Sequence, residues 1–255
     1  MACCKVLKYL VIPFIFLTLS LNAINVGELN QNNDHGFWFE ENIHKDFKNN
    51  WLYYLHFEER WGNDYKTLWY FEHWSILHYD LSSQIRKIFC LKPDSIFKSF
   101  SIGPGFAQGW TLNKNTKGVF HWSEANRPEI AAFVTLQWNG WQLQERIVAE
   151  YWRYITKHYH SFVYSRLRTW VNSPWKFTCF KINPFFANEF FLREKKSNQT
   201  GVFYENRFRI GVNAEFFEHF TGSLWWKLRS FKQIQNDKQV WFNNYILGLT
   251  LNLNF

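Results

Sequence analysis

The last fifteen residues of the chain, 241–255, constrain its fold more than any other segment. Read in steps of two, they place apolar side chains on one face and polar or small side chains on the other. The apolar face carries Tyr245, Leu247, Leu249, Leu251, Leu253 and Phe255, and the other face carries Asn244, Gly248, Thr250, Asn252 and Asn254. Because successive side chains of a strand point to opposite sides, this pattern predicts one amphipathic β-strand.

This ending resembles the assembly signal of Gram-negative outer-membrane β-barrels, in which a final amphipathic strand closes on an aromatic residue. The candidate signal residues are Tyr245, Gly248, Leu251, Leu253 and Phe255. The resemblance implies that the barrel-assembly machinery recognises the chain. An ordinary amphipathic strand in a soluble sheet is the alternative that this segment alone leaves open.

Aromatic content favours a wall that has two different faces. Aromatic residues make up 22% of the chain, yet mean hydropathy is −0.36 and 20% of residues are charged. A helical membrane protein is excluded by that polarity. A transmembrane barrel fits, since its strands alternate between lipid and the interior. An aromatic-rich soluble sandwich also fits, although it would not explain the abundance of tryptophan.

The amino terminus has the features of a secretory signal. Lys5 and Lys8 precede the apolar run 9–21, which is shorter than the roughly 20 residues that span a bilayer. We therefore expect a signal peptide at 1–23 and a flexible leader at 24–36, with a retained anchor as the alternative. Cleavage takes the formal net charge from +8 to +6. For an exported chain, this charge favours contact with outer-membrane lipid and lipopolysaccharide over contact with nucleic acid.

Cysteine usage indicates neither a metal site nor a lipid-attachment site. Cys3 and Cys4 precede the apolar run and are lost with the signal, which leaves Cys90 and Cys179. These two could pair in an oxidising periplasm or remain as thiols. Neither zinc-ligand spacing nor a glycine-rich phosphate loop is present, so we expect no metal and no cofactor.

Residues 37–255 are predicted to form one antiparallel, up-and-down transmembrane barrel, present as a monomer. Eleven strand-like segments alternate with turns: 37–47, 51–61, 67–79, 99–112, 129–138, 141–154, 161–171, 176–192, 202–216, 223–233 and 239–255. The pair Asn139-Gly140 between two alternating runs is a strong hairpin signal. Because single-chain bacterial barrels have an even number of strands, we expect about 12, with ten as the fallback. The irregular region 80–98 is where the missing strand is sought.

Connection lengths orient this predicted barrel. Working back from a periplasmic carboxy terminus, the segments 234–238, 193–200, 156–160 and 113–127 fall outside. The segments 218–222, 172–174 and 139–140 fall on the periplasmic side. Long and short connections then alternate, as periplasmic turns are short in such barrels. None of the outside loops is long enough to make a separate binding domain, which argues against a dedicated adhesin.

Charged residues sort onto one face of the predicted strands. A cation on the lipid face costs about 2–4 kcal/mol at the bilayer midplane, so this face must be the lumen. The predicted lumen-lining residues are Glu58, Arg60, Arg146, Glu150, Arg166, Arg168, Glu205, Arg207 and Arg209, and Lys227 and Arg229 follow the same pattern. Glu59 and Glu145 are expected near the membrane edges. The lumen is either a salt-bridged plug, which we favour, or a polar passage that prefers anions.

Two His-x-Ser pairs, His73/Ser75 and His121/Ser123, are the candidates for catalysis. A histidine and a serine two apart on a strand share a face and could act as base and nucleophile. This arrangement resembles that of outer-membrane lipid A deacylases, so an outer-membrane lipid hydrolase is the alternative function. Because a chance His-x-Ser pair is common in a chain with nine histidines, we expect no enzyme activity.

The whole segment 37–255 is similar to the outer-membrane family designated domain of unknown function 2490. The resemblance is carried by the early strand with Trp38 and by several short phrases. These are Glu58-Glu59-Arg60, Gln144-Glu145-Arg146, Ser165-Arg166-Leu167-Arg168, Asn188-Glu189 and Glu205-Asn206-Arg207-Phe208-Arg209-Ile210-Gly211. It implies a barrel in the outer membrane and no particular activity.

Overall fold

The computed structural model describes residues 33–62, 67–114, 119–155, 161–193, 203–235 and 238–255. The predicted signal peptide and most of the leader lie outside these residues. The described part of the chain forms eleven strands and one helix. In chain order they are β1 (Asp34–Asp46), β2 (Trp51–Gly62), β3 (Thr67–Asp80), α1 (Ser82–Ile88), β4 (Phe97–Lys114), β5 (Phe120–Trp138), β6 (Trp141–Tyr154), β7 (Phe162–Asn172), β8 (Asn183–Arg193), β9 (Phe203–Phe217), β10 (Phe220–Gln235) and β11 (Lys238–Asn254).

These strands close into a single barrel in sequence order. Each strand pairs antiparallel with the next, but the seam between β1 and β11 is parallel, with Trp38 opposite Gly248. Phe255 extends this seam, because its N–H donates to the carbonyl of His44 at 2.9 Å and its carbonyl accepts from Asp46 at 3.0 Å. The prediction of twelve or ten strands is wrong. A barrel with an odd number of strands closes here because its first and last strands run in the same direction and pair in parallel.

The segment 113–127 is not the predicted loop. Strand β4 continues to Lys114 and β5 begins at Phe120, and their ladder runs from Lys114 opposite Phe120 to Gly109 opposite Ala125 and beyond. The segment is polar because side chains such as those of Ser123 and Arg127 point into the barrel, where both are buried. Polar composition therefore marked an inward face and not a loop.

Two other segments also differ from the prediction. Residues 176–182 do not belong to β8; they make a tight turn closed by the pair Phe177 and Ile182, with positive φ at Thr178 and Lys181. The irregular region 80–98 holds helix α1 and no additional strand, and only its first residue and its last two belong to β3 and β4. The predicted hairpin at Asn139-Gly140 is formed, and both residues have positive φ, as a type I′ turn requires.

Connection lengths do not alternate as predicted. We call the end of the barrel that holds Phe255 the carboxy end. The turns 139–140 and 218–219 lie there, but so do the connection 81–96 and the turn 173–182. At the other end, the connection between β10 and β11 is reduced to 236–237. The lengths of the connections therefore give no support for an orientation of the barrel.

The two faces of the wall differ in chemistry. Outward side chains along the strands are apolar and exposed, including Leu77, Phe106, Ile130, Ile147, Leu167, Phe190, Ile210, Leu224, Leu247 and Leu253. The inward face carries charged groups and two apolar clusters. One cluster contains Trp74, Ile76, Ala107, Ala131 and Val148, and the other contains Trp38, Phe185, Trp225 and Ile246.

The second apolar cluster depends on a glycine in the last strand. Gly248 faces inward opposite Trp225, and a Cβ atom there would lie 2.1 Å from the Trp225 ring. The bare backbone lets the indole lie against the wall, where its Nε1 donates to Thr250 at 2.8 Å. Trp225 then meets Trp38 edge to face, with ring centroids 6.4 Å apart. The candidate assembly residue Gly248 thus has a packing role.

Helix α1 packs on the outside of the carboxy end and buries none of its residues. Arg86 ties it to the start of β4 through the carbonyl of Phe97, and the backbone N–H of Phe100 donates to the Ser82 hydroxyl at 2.9 Å. Cys90, just after the helix, is an exposed free thiol, so the pairing of Cys90 with Cys179 is not formed. The described residues include no helix with the length and apolar character to cross a bilayer.

Candidate functional site

The interior of the barrel divides into two parts. Toward the carboxy end lies a cavity of about 450 Å³, which we call the cup. Asp46 and Gln144 line it at the carboxy end and are exposed, so the cup opens there. Its floor is formed by charged side chains that include Glu58, Glu72 and Lys227. The remainder of the interior, between this floor and the opposite end, we call the closed half.

Glu205 anchors one ion network of the closed half. Arg229 donates to both of its carboxylate oxygens, with Nε 2.8 Å from Oε1 and Nη2 3.0 Å from Oε2. Arg207 also donates to Glu205 through Nε. All three side chains are buried. Register explains the cluster, because Arg207 and Arg229 are directly opposite on β9 and β10 and Glu205 lies two residues away on the same face.

Arg127 anchors a second network. It pairs with Glu72 and lies 3.6 Å from Glu150, measured from Nη1 to Oε2. The Tyr70 hydroxyl donates to the same carboxylate of Glu72. Arg166 joins through Nε, 3.1 Å from Oε1 of Glu150. This network connects β3, β5, β6 and β7 across the interior.

Aromatic rings fill the spaces between these ions. Arg60, which pairs with Glu58, lies 3.9 Å from the Tyr70 ring centroid and 4.1 Å from that of Trp38. Arg127 lies 4.3 Å from the Trp152 ring, and Arg193 lies 4.0 Å from the Phe162 ring. Guanidinium groups stack well on aromatic faces, so the rings cover these cations, although Arg127 Nε and Arg193 Nε have no hydrogen-bond partner among the described residues.

At the floor of the cup, Glu40 gathers several partners. Arg209 binds it with both terminal nitrogens, at 2.6 and 3.0 Å. Thr250 donates to it at 2.8 Å, and the Lys227 ammonium lies 3.9 Å away. The same ammonium lies 3.5 Å from the Trp38 ring centroid. This two-point pairing of an arginine with a carboxylate is among the stronger arrangements that the two groups can make.

Two arginines in the cup are not paired in this way. Arg146 on β6 and Arg168 on β7 are directly opposite each other, and both line the cup. Arg146 is 6% exposed, and its nearest carboxylate oxygen, Oε1 of Glu129, is 3.7 Å from Nη2. Its Nε and Nη2 atoms have no hydrogen-bond partner among the described residues. Within the same residues, no carboxylate lies within ion-pair distance of Arg168.

The nine residues predicted to line the lumen all carry side chains on the inward face. Six of them line the cup: Glu58, Arg146, Arg166, Arg168, Arg207 and Arg209, of which Arg166 and Arg207 lie at the floor and also join the networks of the closed half. Arg60, Glu150 and Glu205 belong to the closed half and are buried. Sequence reasoning missed Glu40, Glu72, Arg127, Glu129 and Glu189. Glu40 and Glu72 could have been found from the two-residue period alone, whereas Arg127 was hidden by its assignment to a loop.

Glu59 and Glu145, the two carboxylates that did not fit the predicted charge pattern, both lie on the outward face. Glu59 is near the end of β2 at Gly62, and it is partly exposed. Glu145 lies near the start of β6 and accepts the Thr169 hydroxyl, at 2.8 Å to one oxygen and 3.0 Å to the other. Each is therefore close to one end of its strand.

A group of three buried ligands, His56, Glu58 and Glu72, has atoms within 4.8 Å of one another. Such a group could hold a metal ion. However, Glu58 already pairs with Arg60 and Glu72 with Arg127. His56 Nδ1 is 2.6 Å from the side-chain oxygen of Asn42. Because these partners occupy the donor atoms, we assign no metal to the group.

The two His-x-Ser pairs lie on opposite faces of the wall. Trp74 and Ile76 are buried inside, so His73 and Ser75 face outward. His73 packs near Trp110, with ring centroids 5.7 Å apart. Ser123 lies inside, where it accepts from Asn113 at 2.5 Å and donates to the carbonyl of Thr111 at 3.2 Å. A substrate at the outer surface could therefore meet the first pair and not the second.

The other candidate assembly residues lie on the outer face of β11. Tyr245 stacks on Trp226 with centroids 6.2 Å apart, and Leu253 and Phe255 are exposed. Leu251 is covered by its neighbours and is 8% exposed.

In comparisons with known proteins, no family model and no curated protein matches the chain. The similarity to domain of unknown function 2490 therefore stays a prediction.

Proposed function

We propose that the protein is a monomeric outer-membrane β-barrel with a structural role, and that ion networks close its lumen. The exposed apolar band on the outer wall supports the membrane assignment, since soluble monomers rarely expose large contiguous apolar patches. Tryptophans at strand ends, among them Trp51, Trp138 and Trp241, are 39–43% exposed and suit the two bilayer interfaces. Outer-membrane lipid and lipopolysaccharide are the proposed partners of this surface, and the barrel-assembly machinery is the proposed partner during insertion.

One observation supports the proposal of a closed lumen. The networks of Glu205 and Arg127 span the interior, and aromatic rings fill the gaps between them. Buried ions that are already paired and stacked leave no polar path for hydrated solutes through the closed half. We therefore favour the plug over the anion-preferring passage, for which the networks would have to open. The test is planar-bilayer conductance of the purified protein, for which we expect no steady current.

A variant with an opened plug makes that test sharper. Replacing both Arg127 and Arg229 by Ser removes the central cation of each network, and steady current is then expected if the plug is what blocks the lumen. Steady anion-selective current from the unmodified protein, reduced by Arg207→Gln, would support the passage and reject the plug.

Membrane insertion has its own test. In a cysteine-free background, a cysteine at outward Leu247 should react with a membrane-soluble thiol reagent and not with a water-soluble one. A cysteine at Arg168, which lines the cup, should show the reverse. Equal reaction of both positions with the water-soluble reagent would reject a membrane barrel, whatever the conductance shows.

Removal of Phe255 tests assembly. It deletes the two backbone hydrogen bonds to His44 and Asp46 that end the β1–β11 seam, together with the terminal aromatic ring. We expect the shortened protein to accumulate unassembled in the periplasm. Phe255→Tyr retains the backbone bonds and an aromatic ring and is the matched control. Normal insertion of the shortened protein would count against the assembly signal.

A lipid hydrolase is the second candidate function, and the outward position of His73 and Ser75 favours it over an enzyme acting on soluble substrates. In a lipid A and phospholipid hydrolysis assay, Ser75→Ala should abolish any activity, whereas Ser123→Ala should not, because Ser123 is buried inside. We expect no hydrolysis from the unmodified protein. Hydrolysis that depends on Ser75 would reverse our ranking of the two functions.

A further inference from the structure

The cup carries an excess of positive charge. Among the described residues, six cationic side chains line the cup against five acidic ones: Arg146, Arg166, Arg168, Arg207, Arg209 and Lys227 against Glu40, Asp46, Glu58, Glu72 and Glu189. Around the cup, half-buried Arg166, Arg168 and Arg209 outnumber half-buried Glu189 and the exposed rim residue Asp46. The unbalanced charge is therefore next to solvent, where a ligand can reach it.

Arg146 and Arg168 concentrate this excess at one point. Arg146 and Arg168 are opposite each other in the β6–β7 ladder, and like charges in directly opposed positions destabilise a sheet. Glu189, opposite Arg168 on β8, is shared with two other cations, because its oxygens lie 3.9 Å from Arg166 and 3.7 Å from Arg207. A negative group between the two guanidinium groups would remove the repulsion.

The Arg146 guanidinium is also held in place for a ligand. Its centre is 3.8 Å from the Trp74 ring centroid, and that indole is fixed by donating to Glu129 at 2.5 Å. The ring supports the flat face of the guanidinium, while Nε and Nη2 lack hydrogen-bond partners. Buried donors without partners are uncommon in proteins and are costly unless a bound group satisfies them.

We propose that the cup is a binding site for a small molecule that carries a phosphate or carboxylate group, with Arg146 and Arg168 holding that group. Arginine donors in a planar fork match the paired oxygens of both anions. A cavity of about 450 Å³ is within the range of small-molecule sites. The inference rests on the proposed closed lumen, since a floor of paired ions makes the cavity a site with one entrance.

The site is tested by isothermal titration of the full mature protein in lipid nanodiscs with two probes, inorganic phosphate and glycerol 3-phosphate. Arg146→Gln and Arg168→Gln should each weaken binding at least about tenfold, the loss expected for one charged hydrogen bond. Arg168→Lys retains the charge but not the fork and should fall between. Arg193→Gln is the control, since it removes an inward arginine from the closed half and leaves the cup intact. Circular dichroism checks that each variant is folded.

The results separate the sources of the anion and the two proposals. Binding of free phosphate indicates a soluble anion. Binding of glycerol 3-phosphate alone, with competition from phosphatidylglycerol vesicles, indicates a lipid headgroup. No binding of either probe, or equal loss in Arg193→Gln, would overturn the site. Conductance is measured separately, so a barrel that binds the probe but conducts ions would retain the site and lose the closed lumen.

Discussion

The closed half and the cup are built from the same residue types but arranged to opposite effect. In the closed half, Arg207 and Arg229 share the carboxylate of Glu205. In the cup, Arg146 and Arg168 face each other with no carboxylate within hydrogen-bonding distance of either. Closely paired ions fill the space between strands, whereas cations without a hydrogen-bonded carboxylate leave donors available for a ligand. The difference teaches that charge content inside a barrel does not by itself distinguish a plug from a binding site.

The largest effect is expected from breaking the Arg127 network. Arg127→Ala leaves Glu72 buried without its cation and leaves Glu150 with Arg166 alone, and removing one partner of a buried pair costs about 3–5 kcal/mol. Arg168→Ala removes the same charge from the cup and should change the free energy of unfolding by less than about 1 kcal/mol. Urea titration of both variants in phospholipid vesicles measures the two values. Equal losses would show that the two halves are held alike.

The strands could be predicted from the sequence because outward apolar and inward polar side chains alternate with a period of two residues. β6 has the predicted bounds Trp141–Tyr154, and most other strands begin and end close to their predicted positions. The same reasoning failed at 113–127, because a long segment that is mostly polar resembles a loop by composition. Local pattern cannot distinguish these cases, because the burial of Arg127 is created by strands distant in sequence.

Neither the parallel seam of the barrel nor the surroundings of Arg146 and Arg168 could be predicted from the sequence, for a related reason. Parallel pairing of β1 with β11 depends on the closure of the whole sheet, so the sequence of either strand alone does not indicate it. The inward direction of Arg146 follows from the period, but its distance from Glu129 depends on the stagger of β5 against β6. The hypothesis of a lumen lined by Arg and Glu was made from the sequence, whereas its division into paired and unpaired halves requires the structure.

An intermediate effect is expected at Gly248, which keeps Trp225 against the wall beside the cup. In Gly248→Ala, the new Cβ atom would lie 2.1 Å from the indole, which must move toward the interior. Overpacking of this kind costs about 1–3 kcal/mol. Gly109→Ala, whose Cβ would lie 3.2 Å from the Tyr70 hydroxyl in the closed half, is the control and should cost less. The same urea titration applies, and replacing Trp225 by Leu as well should recover most of the loss.

The smallest effect is expected for an ion pair outside both halves. Glu215 lies at the carboxy end of β9, with Lys181 at 2.5 Å and Lys176 at 3.2 Å. Its side chain is 37% exposed, and those of the two lysines are 56–57% exposed, so water and salt screen the attraction. Glu215→Gln should lower the free energy of unfolding by less than about 1 kcal/mol, and the difference should vanish in high salt. A loss of unfolding free energy as large as that of Arg127→Ala would mean that burial does not set the strength of ion pairs in this barrel. The contrast between the closed half and the cup would then lose its physical basis.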